Sequence, residues 1–167
     1  MDLNIKLTNQ LIGIANIVGA ISANISVSIL SRRALFLSGQ VIIMVSQILM
    51  VLLIHFQVSS APILTFMMLN VISWQNTNGT IFFIYASEVM VDSAIGLANM
   101  LLMILLIAQS LLVEPLLQLP SVGVKGIFLG LAVVQALTIV FIYFFVKETK
   151  GLNSNEKKGL YKKKAKQ

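Results

Sequence analysis

The residues able to do chemistry in this chain are few, and most are neutral. Gln75-Asn76-Thr77-Asn78-Gly79-Thr80 is a run of six polar or glycine residues inside an apolar stretch from Asn70 to Met90. Asn16, Ala20, Asn24 and Ser28 recur every four residues, which stacks them on one helical face. Charged residues are sparse: Arg32 and Arg33 adjoin, and Glu88, Asp92, Glu114 and Glu148 stand apart. Catalysis lacks its parts. There is one histidine, no cysteine, no phosphate-cradling glycine loop and no carboxylate pair within an apolar run. No metal or other cofactor is implied. A carboxamide can both donate and accept hydrogen bonds, so binding is the chemistry these residues offer.

The elements that must position them are membrane helices. Of 167 residues 57% are hydrophobic and 11% charged, against about 25% charged in an ordinary soluble domain. The net charge of +6 does not describe a nucleic-acid face, because eight of the twelve basic residues lie after Phe145. That is a charged tail on an apolar body. The first ten residues, MDLNIKLTNQ, lack the apolar core of a cleavable signal peptide.

A helix needs about 20 mostly apolar residues to cross the hydrocarbon core. Five runs qualify, at 9–30, 34–54, 62–87, 94–117 and 124–146. The expected fold is an all-α integral membrane protein, with a helical bundle over 1–146 and a basic, disordered tail over 147–167. Pro62 and Pro120 fall where helices start or stop. Arg32, Arg33 and eight tail lysines lie on one side of the membrane, Lys6 and Lys125 on the other. Ten against two places the Arg32-Arg33 turn and the C-terminus in the cytoplasm. Five spans then put the N-terminus outside, which leads us to expect further chain before Met1.

Two readings fit the row through Asn16 and Asn24. Beside it Ala15, Gly19 and Ala23 form a second row, suited to tight packing of helices through small side chains. Alternatively the asparagines face a wet cavity, since an amide turned toward lipid costs several kcal/mol. The run from Gln75 to Thr80 raises the same choice. It is either a kink packed by neighbours or the border of a binding site. Asn76, Thr77 and Asn78 compete for their own backbone and Gly79 weakens the helix, so a locally opened helix is expected there. Opened, polar backbone at mid-membrane marks the binding sites of secondary carriers.

The segment NGTIFFIYASEVM resembles the tenth helix of the sugar porter family of the major facilitator superfamily. Gly79 matches the glycine and Glu88 the glutamate of its Gly-Pro-x-x-Trp-x-x-x-x-Glu pattern, while Thr80 and Phe83 replace the proline and tryptophan. SRRALFLSG is similar to the Gly-Arg-Arg turn between the eighth and ninth helices, with Ser31 for glycine. VKETKG resembles the Pro-Glu-Thr-Lys-Gly sequence closing the twelfth helix, with Lys147 for proline. GIAN, ending at Asn16, matches an asparagine of the eighth helix.

The resemblance implies helices eight to twelve of a twelve-helix carrier, and with it a partner N-terminal half and a seventh helix. It implies a sugar-like solute such as a hexose, lined by Asn16, Gln75, Asn76, Gly79 and Phe83. An uncharged hydroxylated ligand suits amides that donate and accept, and an apolar ring to lie against a sugar face. It also implies a cytoplasmic gate of Arg32, Arg33, Glu88 and Glu148, whose charge pairs break when the gate opens.

Three further features invite a role. Glu114 near the outer end of the fourth span could couple protons, His55 could sense pH, and the tail lysines could bind anionic lipid. The plainer readings are an interfacial acid, a wetted helix end and a topology anchor. Two functions therefore stand: part of a secondary carrier working by alternating access, or a truncated, non-transporting membrane protein that serves as an interaction subunit or partner half.

Overall fold

The computed structural model describes residues 5–119 and 122–161. Six α-helices and one π-helical turn carry the described part as far as Phe145, and a short helix follows. They are α1 (Ile5–Ile29), α2 (Arg32–His55), α3 (Ser60–Trp74), the π turn (Gln75–Gly79), α4 (Ile81–Val89), α5 (Asp92–Gln118), α6 (Gly123–Phe145) and α7 (Ser154–Gly159). Four of these helices, α1, α2, α5 and α6, are long and apolar enough to cross a membrane singly. α3, the π turn and α4 follow one another from Ser60 to Val89 over the third apolar run. The protein is an all-α, multi-pass membrane protein.

Local chemistry explains the boundaries. Only Leu30 and Ser31 separate α1 from α2, and the Ser31 hydroxyl accepts the Ala34 N–H at 3.3 Å as a helix N-cap. The two arginines expected in the turn are therefore the first residues of α2. Pro62 sits in the first turn of α3, where its missing N–H is not needed. Pro115 lies inside α5 and the helix continues to Gln118; Pro120 lies outside the described residues.

α2 is the centre of the bundle and packs chiefly on α6 and α3, while α1 packs on α3 and the π turn. Its buried strip, Leu35, Phe36, Gly39, Gln40, Ile43, Ser46, Gln47 and Met50, follows the three- and four-residue spacing of one helical face. Leu35 and Phe36 join Ile81 of α4 and Ile142 of α6 in an apolar cluster. α5 is the opposite case, with Leu97, Leu105, Leu111 and most of its large side chains exposed. An apolar exterior is what a helix in lipid requires.

In the segment expected to be a disordered tail, Lys147 to Tyr161 lie against the bundle; the lysines at 162, 163, 164 and 166 lie outside the described residues. The sequence lacks an apolar face here, but apolar burial is not what orders it. Gly151, at φ +86°, turns the chain after Lys150, and the Leu152 N–H closes the turn onto the Thr149 carbonyl at 3.3 Å. α7 follows, with the Asn153 N–H donated to the Glu156 carboxylate at 2.9 Å, and rests on α4.

Candidate functional site

The mid-bundle site is built on the π turn. A π turn admits one residue more than an α-helical turn, so consecutive side chains fan out to neighbours that a regular helix would not reach together. Gln75 and Asn76 turn toward α1. The Gln75 carboxamide donates to Asn16 Oδ1 at 2.9 Å, and Asn76 Nδ2 donates to Ser22 Oγ at 2.8 Å and to the Ile72 carbonyl at 2.9 Å. Asn16 Nδ2 donates in turn to the Ile12 carbonyl at 3.0 Å. Asn76 Oδ1 is buried with no hydrogen-bond partner among the described residues.

Thr77 and Asn78 turn the other way, toward α2. Thr77 is wholly buried, and its methyl occupies the space that a Cβ at Gly39 would fill, 1.9 Å away. Asn78 Oδ1 accepts from Gln40 Nε2 at 2.8 Å, and Gln40 Oε1 accepts a short hydrogen bond from Gln135 Nε2 of α6. Gly79 has no positive φ to accommodate. Its role is space: a Cβ there would lie 2.4 Å from Gln75 Oε1.

Of the residues expected at the site, Asn16, Gln75, Asn76 and Gly79 come together. Phe83 stands apart, on α4 and 45% exposed, with its ring against Phe82 at 5.4 Å. The two rows of α1 separate as neighbouring faces. Ala15, Gly19 and Ala23 are buried against α3 and the π turn, whereas Asn24 and Ser28 are exposed and bond to carbonyls of their own helix. The small-residue row is thus the packed face of α1, and the asparagine row leaves that face after Asn16.

At the end of the bundle where the α1–α2 turn meets the chain after α6, Arg32, Arg33, Glu88 and Glu148 are gathered. Glu148 does not pair with the guanidinium groups. Its carboxylate accepts the backbone N–H groups of Arg32 and Arg33 at 3.0 and 3.1 Å, and those of Thr149 and Lys150 at 3.1 and 2.9 Å. It caps the start of α2, where the helix dipole favours an anion. Burial by itself pushes the Glu148 carboxyl up, but the N–H groups of Lys150, Arg33 and Arg32 and the Ser31 hydroxyl together hold it below its ordinary value. Two residues on, Lys150 Nζ donates to the carbonyls of Ser28, Ile29 and Leu30 at 3.0, 2.7 and 3.2 Å, capping the end of α1.

Glu88 answers to the tail more than to the arginines. Lys157 Nζ lies 2.7 Å from its Oε1 and Arg32 Nη2 lies 3.8 Å away. The buried Thr149 hydroxyl donates a short hydrogen bond to its other oxygen. Arg33 is held by the Tyr143 carbonyl at 2.6 Å and lies over that tyrosine's ring. Tyr85 and Tyr161 place their hydroxyls 2.7 Å apart. The side chain of Asp92 is outside the described set. Glu114 and His55 are exposed near the opposite end.

Residues 2–160 match the family described as Sugar (and other) transporter. The chain belongs to the sugar (and other) transporter family. It is 27% identical over 161 residues to the "Probable metabolite transport protein CsbC" of Bacillus subtilis (strain 168), an alignment covering 93% of this chain and 35% of that protein. The chain thus spans about a third of the length of that curated relative. No solved structure matches.

Within this sugar transporter family chain, sequence reasoning passed over Gln40, Gln135 and Lys157. Gln40 carried a faint signal, since it repeats seven residues later as Gln47 on the same face of α2. Gln135 and Lys157 gave none, being isolated on an apolar helix and within a basic tail.

Proposed function

We propose that this chain is helices eight to twelve of a secondary carrier for small uncharged, hydroxylated solutes such as hexoses. A partner N-terminal half and a seventh helix complete the passage. The single observation that carries the reading is the amide cluster on the π turn. Gln75 and Asn76 cross to Asn16 and Ser22 midway along the bundle, and the exposed Asn24 and Ser28 continue the polar row on α1. Neutral amides at this depth suit a ligand that exchanges hydroxyl–water hydrogen bonds for hydroxyl–amide ones, with no charge to desolvate. The bacillary relative, a probable metabolite transport protein, points the same way.

In this reading the Arg32–Glu88–Glu148 end is cytoplasmic, following the excess of basic residues there. It is the gate that must part when that side opens. The test is uptake of labelled D-glucose and a panel of hexoses into liposomes, by the chain alone and joined to an N-terminal half. Saturable uptake lost on Asn16→Leu and Gln75→Leu supports the carrier. Absence of uptake in every combination, with the chain folded, favours a non-transporting partner subunit.

A further inference from the structure

The π turn is gripped from two sides, and only one of them faces the row of polar residues on α1. The second grip is a line of three amides running through the bundle. Gln135 Nε2 of α6 donates to Gln40 Oε1 of α2, and Gln40 Nε2 donates to Asn78 Oδ1 at 2.8 Å. Gln40 is 1% exposed and lies beside Gly39, whose missing side chain receives the Thr77 methyl. One strip of α2 therefore supplies both the hole for Thr77 and the donor for Asn78. With Thr77 and Asn78 fixed against α2, the residues just before them, Gln75 and Asn76, are directed to α1.

The geometry points to Gln40 and Gln135 as positioning residues: through Asn78 they hold the π turn open and so set the direction of the solute-facing amides of Gln75 and Asn76. A regular α-helix would remake the backbone hydrogen bonds that the wider turn gives up, so the turn needs side-chain partners to persist. A line of buried amides acts as a unit. Removing one member leaves its neighbour's donor or acceptor unmet in a medium where no water replaces it. A change at Gln135, one amide removed from the turn, must therefore be felt at Asn78.

That the turn serves a solute rests on the reading above, but the positioning can be tested without one. Hydrogen exchange of the 75–80 amides is measured on the 167-residue chain in lipid nanodiscs. Emission of Trp74, the only tryptophan, is followed alongside. Gln40→Met and Gln135→Met keep volume and remove the amide. Each is expected to speed exchange of the turn by about tenfold and to shift Trp74 emission, leaving the Arg32–Glu148 end unchanged. The double variant should do no more than either single one. Gln40→Glu, kept neutral by burial, retains one donor and one acceptor and should restore the original signal. A packing defect alone would make the two methionines additive and would not be rescued. Unchanged exchange in Gln135→Met, or additive effects, overturns the inference. Should Gln40→Met fail to fold, Gln135→Met carries the test. Lost hexose uptake with the amide line intact would instead strike the transport reading.

Discussion

At the π turn α1 meets its neighbour through neutral amides, Gln75 to Asn16 and Asn76 to Ser22. At the basic end the same α1 is held by Lys150 on its last carbonyls, and α2 by Glu148 on its first N–H groups. Depth decides which chemistry serves. A charge at mid-membrane must be desolvated at a cost of several kcal/mol that pairing only partly returns. Amides satisfy one another without that cost, though each contributes only about 1 kcal/mol. Near the surface water shares the load, and a full charge against a helix end gains up to about 2 kcal/mol. The two regions should therefore answer differently to crowding, pH and salt.

Crowding separates them most sharply. A side chain at Gly39 collides with Thr77 Cγ2, 1.9 Å from the new Cβ. Gly39→Val should destabilise the bundle by about 3 kcal/mol or more, since neither helix backbone can withdraw. Gly39→Ala suffers the same overlap less a gain of about 1 kcal/mol in helix propensity. Because the obstructing atom is a methyl, Thr77→Ser should recover most of the loss. Thermal melting of the single and double variants in detergent decides it, and no recovery would mean that the turn is held elsewhere.

Acid should act on the basic end alone. Glu148 is held below its ordinary value of 4.5 in the folded protein. A carboxyl lowered by folding adds stability at neutral pH, and that stability is lost as the pH falls through the lowered native value. Glu148→Gln should cost about 2 kcal/mol at pH 7, the size of its charge-assisted hydrogen bonds. It should also flatten the acid limb of a melting profile taken below pH 4.5. An unchanged acid limb in the variant would mean that the Glu148 cap does not hold the start of α2.

These contrasts also explain what could be read from sequence. Four of the five apolar runs are single helices long and apolar enough to cross a membrane, as the link between helix length and bilayer thickness requires, and the run at 62–87 is interrupted at the π turn. Asn16 and Gln75 were legible because amides in an apolar run must find partners. Gln40 and Gln135 were not: they lie 95 residues apart, and nothing local marks two glutamines that meet only when α2 and α6 pack. Phe83 came from a resemblance, and it is 45% exposed on α4 with its ring against Phe82. The contacts of the tail were not legible for a physical reason. They are ion pairs and caps, which hydropathy does not register.

Salt gives a smaller effect confined to that tail. Lys157 and Glu88 are 2.7 Å apart and partly exposed, so their pairing contributes at most about 1 kcal/mol. In about 1 M salt, where charges are screened beyond roughly 3 Å, α7 should loosen and trypsin should cut faster after Lys157. Glu88→Gln should abolish the salt dependence, since it removes the charge that Lys157 pairs with and leaves the cleavage site in place. Exchange of the π turn should not move with salt, and if it did, the two regions would not be independent.

Asn24 carries the smallest effect on stability and the most direct bearing on function. Its carboxamide donates only to the Ala20 carbonyl of its own helix, at 3.1 Å, a bond that ties α1 to nothing else. Asn24→Ala should therefore shift stability by no more than about 0.5 kcal/mol. An asparagine on that face makes no hydrogen bond to another helix among the described residues, and the proposed carrier would use its polarity to face the solute. If Asn24 borders the proposed solute passage, Asn24→Cys in the whole carrier should react with a water-borne thiol reagent, and a hexose should slow the reaction. A cysteine there that reacts only with a membrane-soluble reagent would put Asn24 against lipid, and the polar row would end at Asn16.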